Sequence, residues 1–524
     1  MFCQLDAIVT ASKQKFADKV AIDDNKRQLT YQQLDRAINQ LAQYFLSMGL
    51  AQGDRIAIYL PKQVETVISI LAASRAGLVF VPVNPILKPI QVAYILSDCN
   101  VKLLITSQQR AKLSTEALQT CSDLCHLLII EQGLADDHTE TTLQQHFWPE
   151  TDTQDAEAPL CQVIDQDLAA ILYTSGSTGQ PKGVCLSHRN LIAGAQSVSQ
   201  YLHNTSDDKI LAVLPLSFDY GLSQITTGLL VGATVVLMEY LLPRDVIRQV
   251  AKHQITGLAA VPPLWIQLAK LEWPVEARCL RYFTNSGGVM PKTTLDQLRQ
   301  ALPNSLPYLM YGLTEAFRST YLEPQYVDTH PDSIGKAIPN AEVLVLRPDG
   351  SVCDVDEPGE LVHRGVHVSL GYWNAPDKTA KRYKPIGNNP DYLPELAVWS
   401  GDTVRRDRDG FLYFIGRQDD MIKCSGYRIS PAELEESLYQ LAGVAEVVAI
   451  GLPDEELGQA IMLLIKADSG LTEQDVKRYC QQQLPNYMQP KAIEFIDQLP
   501  RNPNGKIDRK QLQNDYQKII RLSK

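Results

Sequence analysis

Residues 173–183 read Tyr-Thr-Ser-Gly-Ser-Thr-Gly-Gln-Pro-Lys-Gly and bring together several groups that bind phosphate. Glycines let backbone N–H groups approach an anion closely, hydroxyls donate hydrogen bonds to phosphate oxygens, and a lysine adds positive charge. The apolar stretch 168–172 predicts a strand leading into the segment, which a flexible Ser/Gly linker would not have. The spacing of a Walker-type P-loop is absent. We therefore predict another type of phosphate-binding loop, formed by Thr174, Ser175, Gly176, Ser177, Thr178, Gly179 and Lys182.

A second candidate site lies at residues 311–315, which read Tyr-Gly-Leu-Thr-Glu. A hydroxyl beside a carboxylate suits two tasks at one nucleotide. Thr314 could donate a hydrogen bond to the α-phosphate, and Glu315 could bind Mg²⁺. Taken alone, Tyr311 and Gly312 are equally consistent with a strand end followed by a turn.

The elements that must position these residues follow an α/β pattern. Short apolar runs alternate with helical patterns, as at 210–214, 234–238 and 257–261, which predicts mixed sheets covered by helices. Apolar residues spaced along 31–50 predict an amphipathic helix in this core. From Ala341 the sequence changes to short strands separated by turns, which predicts a smaller β-rich unit.

The last hundred residues predict a compact α+β domain of their own. Pro431 would begin a helix with Ser430 as its N-cap, and a second helix is predicted over 472–484. The predicted strands of this domain are 444–451, 460–467 and 491–496.

Composition excludes several classes of protein. With 524 residues, the chain is longer than one hydrophobic core usually organises. A formal net charge of −11 without a long basic run argues against a nucleic-acid partner. No apolar stretch is long enough to cross a bilayer, and Asp6 stands where a signal peptide would be cationic. We therefore expect a cytoplasmic protein without a membrane partner.

Ten cysteines without a C-x-x-C pair give little support to a zinc site or a disulfide framework.

The order of these motifs resembles that of the adenylate-forming superfamily of acyl-CoA synthetases, luciferases and adenylation domains of non-ribosomal peptide synthetases. The resemblance covers nearly the whole chain, beginning with Leu29-Thr30-Tyr31 and residues 77–82 and continuing through the two segments above. It implies an AMP-forming acid–thiol ligase that uses ATP and Mg²⁺. It also implies a large adenylation core over 1–416 with a β-rich subdomain at about 341–416, a hinge at 417–420 and a mobile C-terminal domain over 421–524.

The resemblance assigns nucleotide-binding roles in the core. Gly287, Gly288 and Tyr311 would contact the nucleotide, with the glycine pair beside the adenine, and Asp402 would bind the ribose hydroxyls. Taken alone, the glycine pair is an ordinary turn and Asp402 an ordinary loop residue.

Further positions match the hinge motif and the C-terminal domain of the family. Arg417 would lie near the nucleotide, and Asp419 would be the pivot between the domains. Gly426 would leave room for a thiol tunnel, and Arg428 would lie near phosphate. Lys506 would be the adenylation lysine, whose charge stabilises the negative charge that develops between carboxylate and α-phosphate.

Residues 214–220 separate the branches of the superfamily. Many acyl-CoA synthetases carry a histidine there, whereas amino-acid adenylation domains carry Phe-Asp, whose aspartate pairs with the substrate's α-ammonium. Phe218 and Asp219 match the latter, and a buried carboxylate needs such a partner. Asp219 could instead cap the following helix, since aspartate is a good N-cap. By position, the side-chain pocket would also include Tyr220, Ser223, Met310, Arg318 and Ser319.

Residues 312–320 resemble stand-alone L-prolyl-carrier-protein ligases of nonribosomal natural-product biosynthesis and exosortase-associated acyl-CoA ligases. We therefore expect an amino acid such as L-proline, although Arg318 is not what a small apolar amino acid requires. Because only 508–524 follow Lys506, the acceptor thiol should come from a separate molecule, either a phosphopantetheinylated carrier protein or CoA. Two further functional classes are a non-catalytic ATP-binding homologue and a luciferase-like oxygenating enzyme.

Overall fold

The computed structural model describes most of the chain. The described residues are 2–131, 143–149, 157–174, 181–288, 290, 292–386, 395–417, 421–429, 431–467, 470–500 and 509–522. Among these residues, no helix has both the length and the apolar character needed to span a membrane.

The strands and helices alternate through the first part of the chain, and strands predominate after α10. In chain order, the strands are β1 Val20–Asp23, β2 Gln28–Thr30, β3 Arg55–Tyr59, β4 Val79–Pro82, β5 Val101–Thr106, β6 His126–Ile129, β7 Gln144–Phe147, β8 Leu168–Thr174, β9 Lys182–Ser187, β10 Lys209–Ala212, β11 Thr234–Leu237, β12 Gly257–Ala260, β13 Tyr282–Asn285, β14 Leu306–Tyr311, β15 Thr320–Leu322, β16 Ser333–Ala337, β17 Ala341–Leu346, β18 Gly359–Gly365, β19 Gly371–Tyr372, β20 Tyr383–Pro385, β21 Leu396–Arg406, β22 Leu412–Arg417, β23 Ile422–Cys424, β24 Tyr427–Ile429, β25 Val444–Asp454, β26 Gly458–Ala467 and β27 Ala492–Phe495. The helices are α1 Ala7–Phe16, α2 Tyr31–Ser47, α3 Val64–Arg75, α4 Pro89–Asp98, α5 Gln108–Leu118, α6 His188–Tyr201, α7 Asp219–Val231, α8 Pro243–His253, α9 Pro262–Ala269, α10 Lys292–Ala301, α11 Pro376–Arg382, α12 Pro431–Leu438, α13 Glu473–Gln483 and α14 Arg509–Leu522.

The largest sheet runs in the order β17-β18-β21-β22-β16-β15-β14-β13-β12-β10-β11-β1-β2. Its middle strands β10, β12, β13 and β14 are parallel, and their carboxyl ends therefore lie at one edge. The strands of this sheet from Ala341 to Arg417 pair antiparallel. Strand β16 joins them to the central sheet because it pairs with both β15 and β22. The predicted β-rich region is thus present, and it continues the main sheet.

A second sheet runs in the order β19-β9-β8-β4-β3-β5-β6-β7. Helices cover both sheets, which together form the large α/β part of the protein. The amphipathic helix predicted over 31–50 is confirmed as α2. Thr30 caps α2, forming a capping box with Gln33, and the helix buries an apolar face that includes Leu34, Ile38 and Phe45.

A third, small sheet lies in the C-terminal part, in the order β24-β23-β26-β25, with β27 pairing parallel to β26. Helices α12 and α13 pack on one of its faces through a separate apolar core that includes Leu434, Val476 and Cys480. The α+β character predicted for this region is therefore confirmed. Ser430, the predicted N-cap, lies outside the described residues.

Candidate active site

The edge where β12, β13 and β14 end carries the predicted nucleotide-binding glycines. Gly287 follows β13 with a backbone φ of 81°, a conformation that side chains with a Cβ rarely adopt. A Cβ built there would lie 3.5 Å from Val261 Cγ1, at the end of neighbouring β12. Gly288 follows directly and accepts a 3.0 Å hydrogen bond at its carbonyl from Asn285 Nδ2. This turn therefore presents backbone, without side chains, at the edge of the sheet.

Tyr311 and Asp402 lie together, although 91 residues separate them. The Tyr311 hydroxyl donates to Oδ2 of Asp402 at 2.5 Å, and the carboxylate is 3% exposed. On the opposite strand Arg417 is the register partner of Asp402. The resemblance placed all three positions at one nucleotide, and the fold brings them to the same place.

Glu315 is fixed by a residue that the sequence analysis did not single out. The hydroxyl of Tyr372 donates to Glu315 Oε1 at 2.6 Å, and the backbone N–H of Ser369 donates to the Glu315 carbonyl at 2.9 Å. Among the described residues, Oε2 of Glu315 accepts no hydrogen bond. A buried carboxylate with one oxygen held and the other available suits a divalent cation such as Mg²⁺.

Lys182, the lysine of the predicted phosphate loop, lies close to this carboxylate. Strands β8 and β9 pair antiparallel, with Thr174 opposite Lys182, which confirms the strand predicted before the loop. The ammonium of Lys182 lies 5.2 Å from the centre of the Tyr372 ring, and Tyr372 in turn contacts Glu315. The remaining predicted loop residues, Ser175, Gly176, Ser177, Thr178 and Gly179, lie outside the described residues.

Asp219 begins helix α7 but does not cap it. The N-cap is Phe218, and no side chain makes the capping hydrogen bond, so the capping alternative is wrong. Instead Oδ1 of Asp219 accepts a 3.4 Å hydrogen bond from the Thr314 hydroxyl. Burial raises the pKa of Asp219, and the positive charge of Arg318 opposes the shift only in part. The Asp219 carboxylate is therefore buried, and the positive charge near it compensates only part of the cost of burial.

The other predicted pocket residues surround Asp219. The Tyr220 hydroxyl lies 2.5 Å from the Thr284 hydroxyl at the end of β13. The guanidinium of Arg318 lies 4.3 Å from the centre of the Tyr220 ring. Ser223 and Ser319 are fully buried. Met310 lies in the apolar cluster that contains Tyr220 and packs against Phe218. The structure thus brings the predicted substrate residues together around the first turn of α7.

Sequence comparison identifies the family. Residues 9–373 match the AMP-binding enzyme family, and residues 433–506 match the AMP-binding enzyme C-terminal domain. The chain belongs to the AMP-binding enzyme family. It is accordingly an adenylate-forming ligase, which activates a carboxylic acid with ATP.

The relatives of this AMP-binding enzyme fall in two branches. The chain is 30% identical to bacitracin synthase 3 of Bacillus licheniformis over 94% of its own length but only 7% of that protein. It is 28% identical to a long-chain-fatty-acid–CoA ligase of Escherichia coli O157:H7, over 96% of this chain and 92% of the relative. These matches are consistent with either a carrier protein or CoA as acceptor.

Two solved complexes of one enzyme match the structure to different extents. A double mutant of o-succinylbenzoate CoA synthetase from Bacillus subtilis, bound to a product analogue, has a TM-score of 0.82 at 25% identity, covering 97% of this chain and 98% of that one. The same enzyme in complex with AMP covers the same shares at 25% identity with a TM-score of 0.67. The described fold of this AMP-binding enzyme is therefore closer to the product-analogue complex.

The C-terminal part meets the active-site edge at Gly426. Its φ is 81°, and a Cβ there would lie 2.8 Å from Val261 Cγ2, while its carbonyl oxygen lies 3.8 Å from a Cβ built on Gly287. Arg428 lies two residues further along, on β24. Asp419 and Lys506, the predicted hinge and adenylation lysine, lie outside the described residues.

Two site residues were missed by the sequence analysis. Tyr372 follows Gly371, which has a φ of 123° and lies close to Thr379. Both features require a glycine, so the Gly-Tyr pair could have marked Tyr372 as a residue in a constrained position. His363 stacks on Tyr311 with ring centres 6.3 Å apart, and burial lowers its pKa to about 3. The neutral imidazole of His363 therefore packs against the Tyr311 ring. Nothing in the sequence around His363 indicates this contact.

Proposed function

We propose that this enzyme activates an amino acid as its acyl adenylate and transfers the acyl group to the phosphopantetheine thiol of a separate carrier protein. The observation that carries the proposal is the buried Asp219 carboxylate beside Thr314, where a substrate ammonium would neutralise its charge. L-Proline is the amino acid that the sequence resemblance suggests. CoA is the alternative acceptor, supported by the full-length similarity to CoA ligases. We further propose a cytoplasmic location.

The first half-reaction forms the adenylate. A carboxylate oxygen of the acid attacks the α-phosphorus of ATP, a P–O bond forms, and the bond to the β-phosphate breaks to release pyrophosphate. Thr314, Lys182 and the loop 175–180 would donate to the phosphate oxygens, and Lys506 would stabilise charge on the carboxylate and the α-phosphate. Mg²⁺, when bound, supplies further positive charge at the phosphates, and Glu315 would hold it.

The nucleotide itself would be oriented by the core. Asp402 would bind the ribose hydroxyls, held by Tyr311, while Gly287 and Gly288 leave room for the adenine. Arg417, opposite Asp402 in the sheet, would contact the nucleotide as well.

The second half-reaction transfers the acyl group. The thiol sulfur attacks the acyl carbon, the C–S bond forms, the C–O bond to AMP breaks, and the thiol proton leaves to AMP or solvent. The C-terminal domain would turn about Asp419, withdraw Lys506 and bring Gly426 to the thiol path, with Arg428 near phosphate. The contact between Gly426 and Val261 and the higher similarity to the product-analogue complex support this second arrangement.

The decisive experiment is ATP–pyrophosphate exchange with a panel of L-proline, other L-amino acids, fatty acids and aryl acids. We expect exchange with an amino acid and its loss in Asp219→Ala. Exchange with fatty acids alone would refute the amino-acid assignment, and no acid-dependent exchange at all would indicate a non-catalytic homologue. The acceptor is then identified by mass spectrometry after adding either a phosphopantetheinylated carrier protein or CoA to the activated acid.

A further inference from the structure

Arg318 is a buried cation, and the described residues place no anion beside it. Its side chain is almost fully enclosed, at 4% exposure, and Nη2 has no hydrogen-bond partner within the described part of the chain. No carboxylate of the described residues lies within 4.0 Å of its guanidinium, which instead lies over the Tyr220 ring. Because arginine stays protonated in proteins and an unpaired buried charge is strongly unfavourable, the position calls for an anion from outside the chain.

The backbone holds Arg318 in this position under strain. Phe317 and Arg318 have φ values of 39° and 102°, which non-glycine residues rarely adopt in succession. The Phe317 ring packs against α6 at Gly194, which has no side chain. A Cβ built on Gly194 would lie only 2.3 Å from the ring. The following residue is therefore turned into the protein interior rather than toward solvent. A strained, anchored turn that buries a cation is typical of a ligand-binding position.

Asp219 does not fulfil the role of this missing anion. It lies close enough to Arg318 for their charges to interact, but it forms no ion pair with it and accepts its hydrogen bond from Thr314 instead. Both charges lie close to Tyr220: Arg318 stacks on its ring, and Asp219 is the residue before it in α7. The Tyr220 hydroxyl is held by Thr284. A ligand that carries both an ammonium and a second anionic group could neutralise both charges at once.

The pocket is closed beyond Met310. The hydroxyl of Tyr201 donates to Met310 Sδ at 3.0 Å, and the Tyr201 ring stacks on Tyr321 with centres 4.4 Å apart. Tyr308 packs beside both rings. The same tyrosines also line a surface groove of about 1050 Å³. Packed aromatic rings therefore fill the space beyond Met310. A long alkyl chain that extended past Met310 would have to displace these rings.

We propose that the acid activated at this site is short and carries a second carboxylate, which Arg318 binds. This inference rests on the proposed function and makes it more specific: an aspartate-like amino acid places its ammonium at Asp219 and its second carboxylate at Arg318. Ser319 and Ser223, whose buried hydroxyls have no hydrogen-bond partner among the described residues, add polar groups to the same pocket. L-Proline, which lacks a second carboxylate, would leave Arg318 unpaired.

Acid-dependent pyrophosphate release from the full-length enzyme tests the inference with nearly isosteric pairs, L-aspartate with L-asparagine and succinate with succinamate. We expect kcat/KM to favour the dicarboxylate of a pair by about a hundredfold, because the neutral partner leaves the buried guanidinium without its anion. In Arg318→Gln this ratio should fall toward one, mainly through a higher KM for the dicarboxylate. Arg318→Lys should restore part of the preference. Arg299→Gln, which removes an exposed guanidinium on the groove side, should leave the ratio unchanged.

Several outcomes would overturn the inference while leaving the proposed function intact. One is a wild-type enzyme that uses L-asparagine or L-proline as well as it uses L-aspartate. Another is an Arg318→Gln variant that loses kcat/KM by the same factor for both members of a pair, provided that thermal unfolding shows it to be folded. In that case Arg318 would serve only as a counterion of Asp219. Failure of every acid in the wild-type assay would refute the proposed function itself. The wild-type ratio requires no variant, and it decides the question even if Arg318→Gln does not fold.

Discussion

The hydroxyl of Tyr372 donates a 2.6 Å hydrogen bond to Oε1 of Glu315. The two residues come from different elements, since Glu315 follows β14 and Tyr372 ends β19 at the edge of the second sheet. Their contact therefore joins the two large sheets at the predicted catalytic carboxylate. It also orients the carboxylate so that Oε2 accepts no hydrogen bond from the described residues.

Tyr372→Phe removes this hydrogen bond with little change in volume. We expect kcat for acid-dependent pyrophosphate release to fall about tenfold, since hydrogen bonds to charged groups contribute roughly 1.5–3 kcal/mol. The Mg²⁺ concentration for half-maximal rate should rise, because Glu315 is no longer held in place. Tyr479→Phe is the matched control, since Tyr479 loses one hydroxyl hydrogen bond to the Ser437 carbonyl in the C-terminal part. An unchanged Mg²⁺ dependence would show that Tyr372 does not position a metal ligand.

Gly426→Ala should separate the two half-reactions. The new Cβ would lie 2.8 Å from Val261 Cγ2, closer than real contacts of this kind, so the C-terminal part must move away from the active-site edge. We expect thioester formation to slow at least about tenfold while adenylate formation is spared, because only the second half-reaction requires this contact. Single-turnover assays of each half-reaction measure the effect.

Gly470→Ala controls for backbone strain. Gly470 also has a positive φ, 106°, but nothing lies within 4 Å of its Cβ position. The strain alone, about 1 kcal/mol, should therefore lower stability without separating the half-reactions. Equal slowing of both half-reactions in Gly426→Ala would argue against its role at the thiol path.

The fold was largely predictable because local patterns agreed with the tertiary structure. Alternating apolar runs gave β10, β11 and β12, and a capped amphipathic pattern gave α2. The pairing of β16 with both β15 and β22 could not be predicted, because strand pairing between distant segments leaves no local periodic signal.

The candidate site was predictable where motifs carry it and not where a distant side chain supports it. Asp402, Tyr311 and Glu315 stand in recognisable segments, although the contact between Tyr311 and Asp402 spans 91 residues. Tyr372, which holds Glu315 across 57 residues, stands in no such segment. The sequence motif identified Arg318 as a pocket residue, but only the structure shows that it is buried with no anion of the described residues beside it. Burial and pairing are properties of the packed chain rather than of local sequence.

Lys506→Ala should abolish adenylate formation while largely sparing thioester formation from a preformed adenylate. The lysine would act only on the charge that develops at the α-phosphate, which is absent from the second half-reaction. Lys491→Ala is the control in the same domain, since its ammonium forms an exposed ion pair with Asp454. Pyrophosphate release and acyl transfer from a synthetic adenylate are measured separately. Loss of both activities by the same factor would refute the assignment.

Asp219→Asn should lose amino-acid activation and yet stabilise the fold at neutral pH. Burial raises the pKa of Asp219, so the folded state binds its proton more tightly than the unfolded state does. The free energy of unfolding of the wild type therefore falls as pH rises from the ordinary value of 3.8 through the raised pKa. The asparagine variant does not ionise and therefore escapes this loss.

Asp208→Asn provides a control of opposite sign. Burial alone would raise the pKa of Asp208, but hydrogen bonds from Arg281 and Thr256 lower it overall. Its ionised form therefore stabilises the fold above the ordinary pKa, and that contribution is lost as pH falls through the lowered value. Thermal unfolding should show the advantage of Asp219→Asn over wild type growing as pH rises above about 4. The disadvantage of Asp208→Asn should instead be nearly constant from about pH 5 to pH 8 and shrink as pH falls below about 4. A stability difference for Asp219→Asn that does not change with pH would mean that its carboxylate is already paired within the chain.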